Sequence, residues 1–265
     1  MTEGLIRKMS PQQVENLLYG YAALPRTAID DTCDTTVSEV PFVELEEAIE
    51  RVAPDMNSQG VANTIWAYGT LGVPPSPQVI DELEAALRRV VTDMIPQALS
   101  NIIWAYSKFG LRPMPESLDA LKQVAPGLIR KMIPQQVSNT LYGYASLSRT
   151  ATDDTGDTAM SKVPLAELEE AIERVAPDMN SQDVANTLWA FAVFDRSPPP
   201  AVVEAAGANA NLFTEEGLRQ CFQAYLHEEA EGRHLDLPGE LFARAESSWC
   251  NRTSSRNRRS SGSSK

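Results

Sequence analysis

An asparagine recurs along this chain at a nearly fixed spacing, each time inside one motif: methionine, then glutamine, then the asparagine, then an aromatic residue. The five asparagines are Asn16, Asn63, Asn101, Asn139 and Asn186, separated by 47, 38, 38 and 47 residues. Repeats of this length are supersecondary units that cannot bury their apolar face alone and therefore stack on their neighbours. The sequence thus predicts an extended array of repeats.

Each repeat has the pattern of a helical hairpin. The first helix is clearest after Ser76 and Pro77, a capping residue and a proline suited to the first helical position, where apolar residues recur at helical spacing up to Val90. The second helix is the motif itself, with Val61, Ile65 and Tyr68 forming its core stripe at positions i, i+4 and i+7. The predicted fold is an all-α solenoid of tandem hairpins.

The chain divides into three parts. Residues 1–205 hold the repeats, 206–250 hold a degraded repeat in which Gln220 takes the asparagine's place, and 251–265 form a Ser/Arg-rich tail predicted to be disordered. Residues 4–71 and 127–194 match almost letter for letter, which indicates a recently copied block. The 47-residue spacings come from Thr/Asp-rich insertions after Thr27 and Thr150, which we expect to be surface loops.

The second helices carry a polar and aromatic face opposite the core stripe. At about 100° per residue, the motif's glutamine and asparagine lie together and its aromatic residue lies close by. Stacked hairpins would align them into a ladder along a ligand groove: Gln59, Asn63 and Trp66; Gln97, Asn101 and Trp104; Gln135, Asn139 and Tyr142; Gln182, Asn186 and Trp189.

Two interpretations of this ladder stay open. Amides beside aromatic planes suit a groove that holds an extended polymer, because amides bond backbone groups and aromatic rings stack on bases. Alternatively, each asparagine satisfies backbone groups of the adjoining turn and each aromatic residue packs between repeats.

Residues that are identical in every repeat cannot distinguish one unit of a polymeric ligand from the next. Sequence-specific recognition would therefore use neighbouring residues that differ between repeats. Two variable positions flank the ladder, and ordinary surface drift explains their variation equally well. The first holds Gly60, Ala98, Gln136 and Asp183, and the second holds Thr70, Lys108, Ser146 and Val193.

The chain is acidic, with 36 Asp and Glu against 23 Lys and Arg. An acidic body repels phosphate unless its charge is segregated. Acidic residues gather early in the first helices and basic residues late, a pattern that helix dipoles and intrahelical pairs such as Glu47 with Arg51 explain without a ligand.

No pattern for catalysis or metal binding is present in the sequence. Cys33, Cys221 and Cys250 and the two histidines, His227 and His234, lack zinc-like spacing, and there is no phosphate-binding glycine loop. No apolar run reaches the roughly 18 residues of a membrane span. We therefore expect a protein that is not an enzyme, needs no cofactor or metal and does not partner a membrane.

The motif M-x-P-Q-x-[VL]-x-N-x-[IL]-[WY]-A-Y, followed by leucine and glycine and by prolines before the next helix, resembles the octotricopeptide repeat over residues 4–200. That resemblance implies a non-catalytic RNA-binding protein of mitochondrion or chloroplast, acting in RNA processing, stability or translation. Residues 218–249 look like the segment before a RAP domain in FAST-kinase-like proteins, and the chain then passes into its tail without that domain.

The leading hypothesis is thus a solenoid that binds single-stranded RNA, and the alternative is an armadillo-like scaffold with an acidic surface for basic peptides or other proteins. A non-functional product of a duplicated locus is a third possibility. The opening GLIRKM recurs at Gly127–Met132 inside a repeat, so we expect the chain to begin inside a unit, with any targeting peptide upstream.

Overall fold

The computed structural model describes residues 3–24, 40–149 and 163–261, and within them every regular element is a helix. The Thr/Asp-rich insertions lie almost wholly outside these residues. The α-helices are α1 (Glu3–Ile6), α2 (Pro11–Ala23), α3 (Phe42–Val52), α4 (Ser58–Leu71), α5 (Pro77–Val90), α6 (Pro96–Phe109), α7 (Pro115–Ile129), α8 (Pro134–Arg149), α9 (Leu165–Val175), α10 (Ser181–Val193), α11 (Pro200–Ala208), α12 (Glu215–Ala230) and α13 (Gly239–Ser261). The all-α repeat fold is confirmed.

The helices group into two compact units. Unit 1 comprises residues 1–131 with 150–164, and unit 2 comprises residues 132–149 with 165–265. In unit 1 the second helices α2, α4 and α6 pack side by side, and the first helices α3, α5 and α7 pack in the same order. In unit 2 the second helices α8, α10 and α12 do the same. Each unit therefore repeats one arrangement of hairpins.

The helix boundaries follow from local chemistry. Ser76 Oγ accepts a hydrogen bond from Val79 N, and Pro77 begins α5, as the sequence predicted. Gly72 and Gly110 end α4 and α6 in the left-handed conformation, with φ of 73° and 65°, which glycine adopts without a steric penalty.

The recurring methionine ends the turn between the two helices of a hairpin. At Met56, Met94 and Met179 its backbone N–H closes a short 3-10 turn, as with Ala53 O at Met56, and its side chain is buried. Its carbonyl accepts a hydrogen bond from the next first helix, where Arg89 Nη2 lies 2.6 Å from Met56 O. Arg51 bonds Met9 O and Arg174 bonds Met132 O in the same way. The basic residues late in the first helices thus join adjacent repeats.

The core follows the predicted stripe. Val61, Ile65 and Tyr68 are completely buried, and so are their counterparts in α6, Leu99, Ile103 and Tyr106. Burying side chains of this size stabilises the fold by about 1.5–3 kcal/mol each.

The C-terminal boundaries differ from those predicted. The division at residue 205 cuts α11, whose nine residues end at Ala208. Helix α13 continues through Ser261, where a disordered tail was predicted from residue 251. A helix already nucleated extends at little cost through residues that are neither proline nor glycine, and the next glycine is Gly262.

Candidate functional site

In unit 1 the second helices form a cleft of about 310 Å³ on their polar side. Three helices contribute to it, because α2, α4 and α6 each place their motif's asparagine on the same side. The amides lining it are those of Asn16, Gln59, Asn63, Gln97 and Asn101. The structure therefore brings the ladder amides of unit 1 together around one open cavity, whereas Trp66 and Trp104 do not line it.

Most of these amides have unused hydrogen-bonding capacity. Asn63 Nδ2 donates to Glu15 Oε1 at 2.6 Å. The side chains of Asn16, Asn101, Gln59 and Gln97 make no hydrogen bond within the described residues, and none of the five asparagines of the repeated motif bonds a backbone group there. The interpretation that each asparagine satisfies an adjoining turn is therefore not supported.

The ladder of unit 2 is more closed. Asn186 Oδ1 accepts hydrogen bonds from Gln182 Nε2 at 2.9 Å and from Gln220 Nε2 at 3.2 Å, and its side chain is buried. Asn139 is half-buried and Gln135 is exposed. Among the described residues, the accessible unbonded amides of this ladder are those at its start, in α8.

The aromatic residues stack on each other between neighbouring second helices. The ring centroids of Tyr19 and Trp66 lie 5.0 Å apart, and those of Tyr142 and Trp189 lie 4.9 Å apart. Lys108 Nζ lies 5.3 Å from the ring centre of Trp104, and Arg149 Cζ lies 5.7 Å from that of Trp189. These aromatic residues thus serve packing and also hold one cation in each unit.

The first variable position contributes mainly to capping and packing. It is the third residue of the second helix, where Asp183 Oδ2 accepts from Asn180 N and Gln136 Oε1 accepts from Ile133 N. Gly60, Ala98 and Asp183 are buried. Its spacing of three residues from the N-cap was the sequence signal for this role.

That position also faces the preceding second helix. Ser138 Oγ donates to Asp183 Oδ1 at 2.7 Å, and a Cβ at Gly60 would lie 3.1 Å from Glu15 Oε2. Each copied block thus has one carboxylate in this contact. The preceding second helix supplies it in unit 1, as Glu15, and the following second helix supplies it in unit 2, as Asp183. The contact explains why this position holds glycine at residue 60 and aspartate at residue 183.

The second variable position lies beside the aromatic residues. Lys108 is exposed, and Thr70, Ser146 and Val193 are half-buried. Thr70 Oγ1 donates to Trp66 O at 3.0 Å, one turn earlier in its helix. Of the two variable positions, only this one presents an exposed charged side chain.

Charge is segregated between the two helices of the hairpins. The first helices α3, α5, α7 and α9 contain thirteen acidic and five basic residues. The second helices α2, α4, α6, α8 and α10 contain four charged residues in total: buried Glu15 and Asp183, and exposed Lys108 and Arg149. The exposed charges of the second helices are therefore positive, although the chain is acidic.

Other reactive groups do not assemble into a site. Burial raises the pKa of the Cys221 thiol to about 12, which makes it a poor nucleophile at neutral pH. Within residues 3–24, 40–149 and 163–261, no three His, Cys, Asp or Glu side chains are grouped to hold a metal ion. In the same ranges no helix has the length and apolarity needed to cross a bilayer.

His227 belongs to a polar cluster in unit 2, whereas His234 contacts Glu229. Arg233 contacts both Glu228 and Asp195 at 2.9 Å, and His227 Nε2 lies 3.2 Å from Asp195 Oδ1. Burial opposes ionisation of Glu228, but hydrogen bonds from Arg233 and Ser197 outweigh it and hold its pKa below its usual value. Hydrogen bonds from Arg233 and His227 likewise lower the pKa of Asp195.

This cluster predicts an acid sensitivity of unit 2. Because folding lowers the pKa of both carboxyl groups, their stabilisation is fully present above an ordinary carboxyl pKa of about 4 and is lost as pH falls through the lowered values. Replacing Arg233 with glutamine should lower the melting temperature at pH 7 and reduce its fall between pH 5 and pH 2, as followed by circular dichroism. The control is Arg130→Gln, at an exposed arginine. Equal pH profiles for the two variants would contradict the assignment.

The fold and site define an all-α helical-repeat protein with an amide-rich face on its second helices. Residues 45–65 and 167–188 each match the model of a family described as a protein of unknown function (DUF1601). Each match begins in the first helix of a hairpin and ends within the second, after the motif's glutamine and asparagine. No curated protein matches the chain. The likeness therefore extends to one hairpin in each unit.

Proposed function

We propose that this protein is a non-catalytic, octotricopeptide-like RNA-binding repeat protein whose second helices bind single-stranded RNA. Its role would be in RNA processing, stability or translation within a mitochondrion or chloroplast. The organelle and the process rest on the resemblance of the repeat motif. The binding face rests on the charges and free amides of the second helices.

The observation that carries this proposal is the segregation of charge. RNA binding from an acidic body requires a surface that is neutral or positive. The second helices meet this requirement, because Glu15 and Asp183 are buried while Lys108 and Arg149 are exposed. The free amides of unit 1 can both donate to and accept from sugars, phosphates and base edges. Tyr19 offers a partly exposed ring on which a base can stack.

The acidic first helices favour a second candidate, a scaffold for basic peptides. Their thirteen acidic residues would attract Lys/Arg-rich segments. The two candidates use different helices of the hairpin, so variants of one helix type separate them.

The test is a titration of the full chain with random single-stranded RNA and with Lys/Arg-rich peptides over a range of salt from low to above physiological. All proteins should carry glutamine in place of the five basic tail residues, so that the tail makes no contribution. These residues are Arg252, Arg256, Arg258, Arg259 and Lys265. We expect salt-dependent RNA binding. Peptide binding without RNA binding at low salt would refute the RNA proposal.

Replacing Asn16 and Asn101 together with alanine should weaken RNA binding about thirtyfold, because each loses a hydrogen bond worth about 1 kcal/mol and neither amide supports the fold within the described residues. Fluorescence anisotropy with labelled RNA measures the change. The matched control replaces Gln78 and Gln123, exposed amides of the first helices α5 and α7. If the control loses as much affinity, RNA does not lie along the second helices.

A further inference from the structure

Glu15 is a buried carboxylate at the edge of the unit 1 cleft. It is 8% exposed and lines the cleft together with Asn16, Tyr19 and Asn63. Its Oε1 accepts from Asn63 Nδ2, and its Oε2 receives no hydrogen bond from the described residues. A carboxylate removed from water is unfavourable unless donors surround it. Glu15 therefore has unused acceptor capacity facing a cavity.

Both oxygens of the equivalent carboxylate in unit 2 accept hydrogen bonds. Asp183 accepts from Ser138 through Oδ1 and from Asn180 N through Oδ2, and it is 3% exposed. A missing donor alone does not indicate a ligand, because Glu84 in α5 supports packing and its Oε2 also lacks a hydrogen bond in the described part of the chain. Glu15 differs in its position, since it lines the open cleft and a ligand there can supply the missing donor.

We propose that Glu15 recognises guanine, so that the unit 1 cleft is a base-specific position on the RNA. This inference rests on the proposed RNA binding. Guanine presents two adjacent donors, N1–H and N2–H, which match the two oxygens of a carboxylate. Glu15 Oε1 would then accept from guanine as well as from Asn63 Nδ2, because each carboxylate oxygen has two lone pairs. Adenine and cytosine place an acceptor beside their single amino donor, and uracil has one N–H between two carbonyls. A carboxylate therefore bonds guanine best among the four bases.

The rest of the cleft suits a purine. Its volume of about 310 Å³ accommodates one base. Tyr19 is 43% exposed although it stacks on Trp66, which leaves part of its ring for a base. The free amides of Gln59, Gln97 and Asn101 supply donors for the guanine O6.

The test uses oligouridylate 12-mers that contain one central guanosine, adenosine, inosine or 1-methylguanosine, titrated against the full chain. We expect the guanosine oligomer to bind about tenfold more tightly than the adenosine oligomer. Inosine, which lacks the 2-amino group, should fall between them, and 1-methylguanosine, which lacks N1–H, should lose most of the preference. Equal affinity for all four oligomers would refute recognition by Glu15 while leaving RNA binding in place.

Variants assign the preference to one residue. Glu15→Gln should abolish it, whereas Glu50→Gln, which removes the same charge from an exposed position of α3, should retain it. A preference for guanosine that persists in Glu15→Gln overturns the assignment. If that variant does not fold, the inosine and 1-methylguanosine oligomers, titrated against the unaltered chain, still test whether guanine is recognised. Absence of any RNA binding refutes both proposals. Glu15-dependent binding of arginine-rich peptides, with no preference for guanosine, would identify a guanidinium as the ligand instead and overturn the assignment to guanine.

Unit 2 provides a gain-of-function test. Replacing Ser138 with glutamate and Asp183 with glycine copies the unit 1 pair into the second block. The double variant should bind an oligomer with two guanosines more tightly than the unaltered chain does. No gain in the folded double variant would contradict the idea that this pair creates the guanine position.

Discussion

Replacing Glu84 with alanine is expected to lower the free energy of unfolding of unit 1 by about 3–5 kcal/mol, the range for removing one partner of a buried charged network. Glu84 is 1% exposed, and its Oε1 accepts from Tyr106 Oη and from Met114 N. Burial and the neighbouring Glu84 raise the pKa of Tyr106 well above its usual value, so this hydroxyl keeps its proton and needs an acceptor. Without Glu84 the buried hydroxyl of Tyr106 and the partly buried N–H of Met114 lose their partner.

Urea denaturation followed by circular dichroism measures this loss. Glu82→Ala is the matched control, because Glu82 lies in the same helix and is exposed. Similar midpoints for the two variants would show that the buried network contributes little. In the preceding hairpin, Glu46 Oε1 makes the corresponding bonds to Ser76 N at 3.0 Å and Tyr68 Oη at 3.5 Å. Its longer hydroxyl contact predicts a smaller effect for Glu46→Ala.

Replacing Gly69 with valine is expected to cost about 3 kcal/mol, at the upper end of the range for overpacking. A Cβ at this position would lie 2.9 Å from both Cα and Cβ of Ala105, so α4 and α6 cannot keep their separation. The unit 1 cleft lies between these helices, and we expect RNA affinity to fall as well.

Gly20→Val is the control for this prediction. Gly20 is an exposed helical glycine, and a Cβ added there would meet no atom of the described residues within 4 Å. Helix propensities of glycine and valine differ by only a few tenths of a kcal/mol, so stability should hardly change. Thermal and urea unfolding of the two variants, compared side by side, measure the difference. Equal stability for both would show that α4 and α6 adjust to the added side chain.

Much of the fold was predictable because it follows from periodicity and capping. The buried stripe of Val61, Ile65 and Tyr68 was predicted from spacing alone, and so was the cap at Ser76. These features depend on residues that are close in sequence. The division into two units was not predicted, since it depends on contacts between distant helices.

The site was predicted less completely. The sequence placed Asn16, Asn63 and Asn101 on one face, and the structure gathers them around a cleft. Glu15 was missed, because a single acidic residue inside a helix does not reveal whether it is buried. The contact between position 60 and Glu15 of the preceding second helix was missed for the same reason, because it depends on which side chains are buried between the helices.

The contact between neighbouring second helices takes its carboxylate from Glu15 in one copy and from Asp183 in the other. This difference limits how the hairpins can be rearranged. An array in which α10 followed α2 directly would bring two carboxylates into one contact, and one in which α4 followed α8 would contain none. Each of these second helices therefore packs well only after the helix that precedes it in its own copy. The second helices of the two copies are therefore no longer interchangeable one by one, and the packing within each copy restricts which helices can be neighbours.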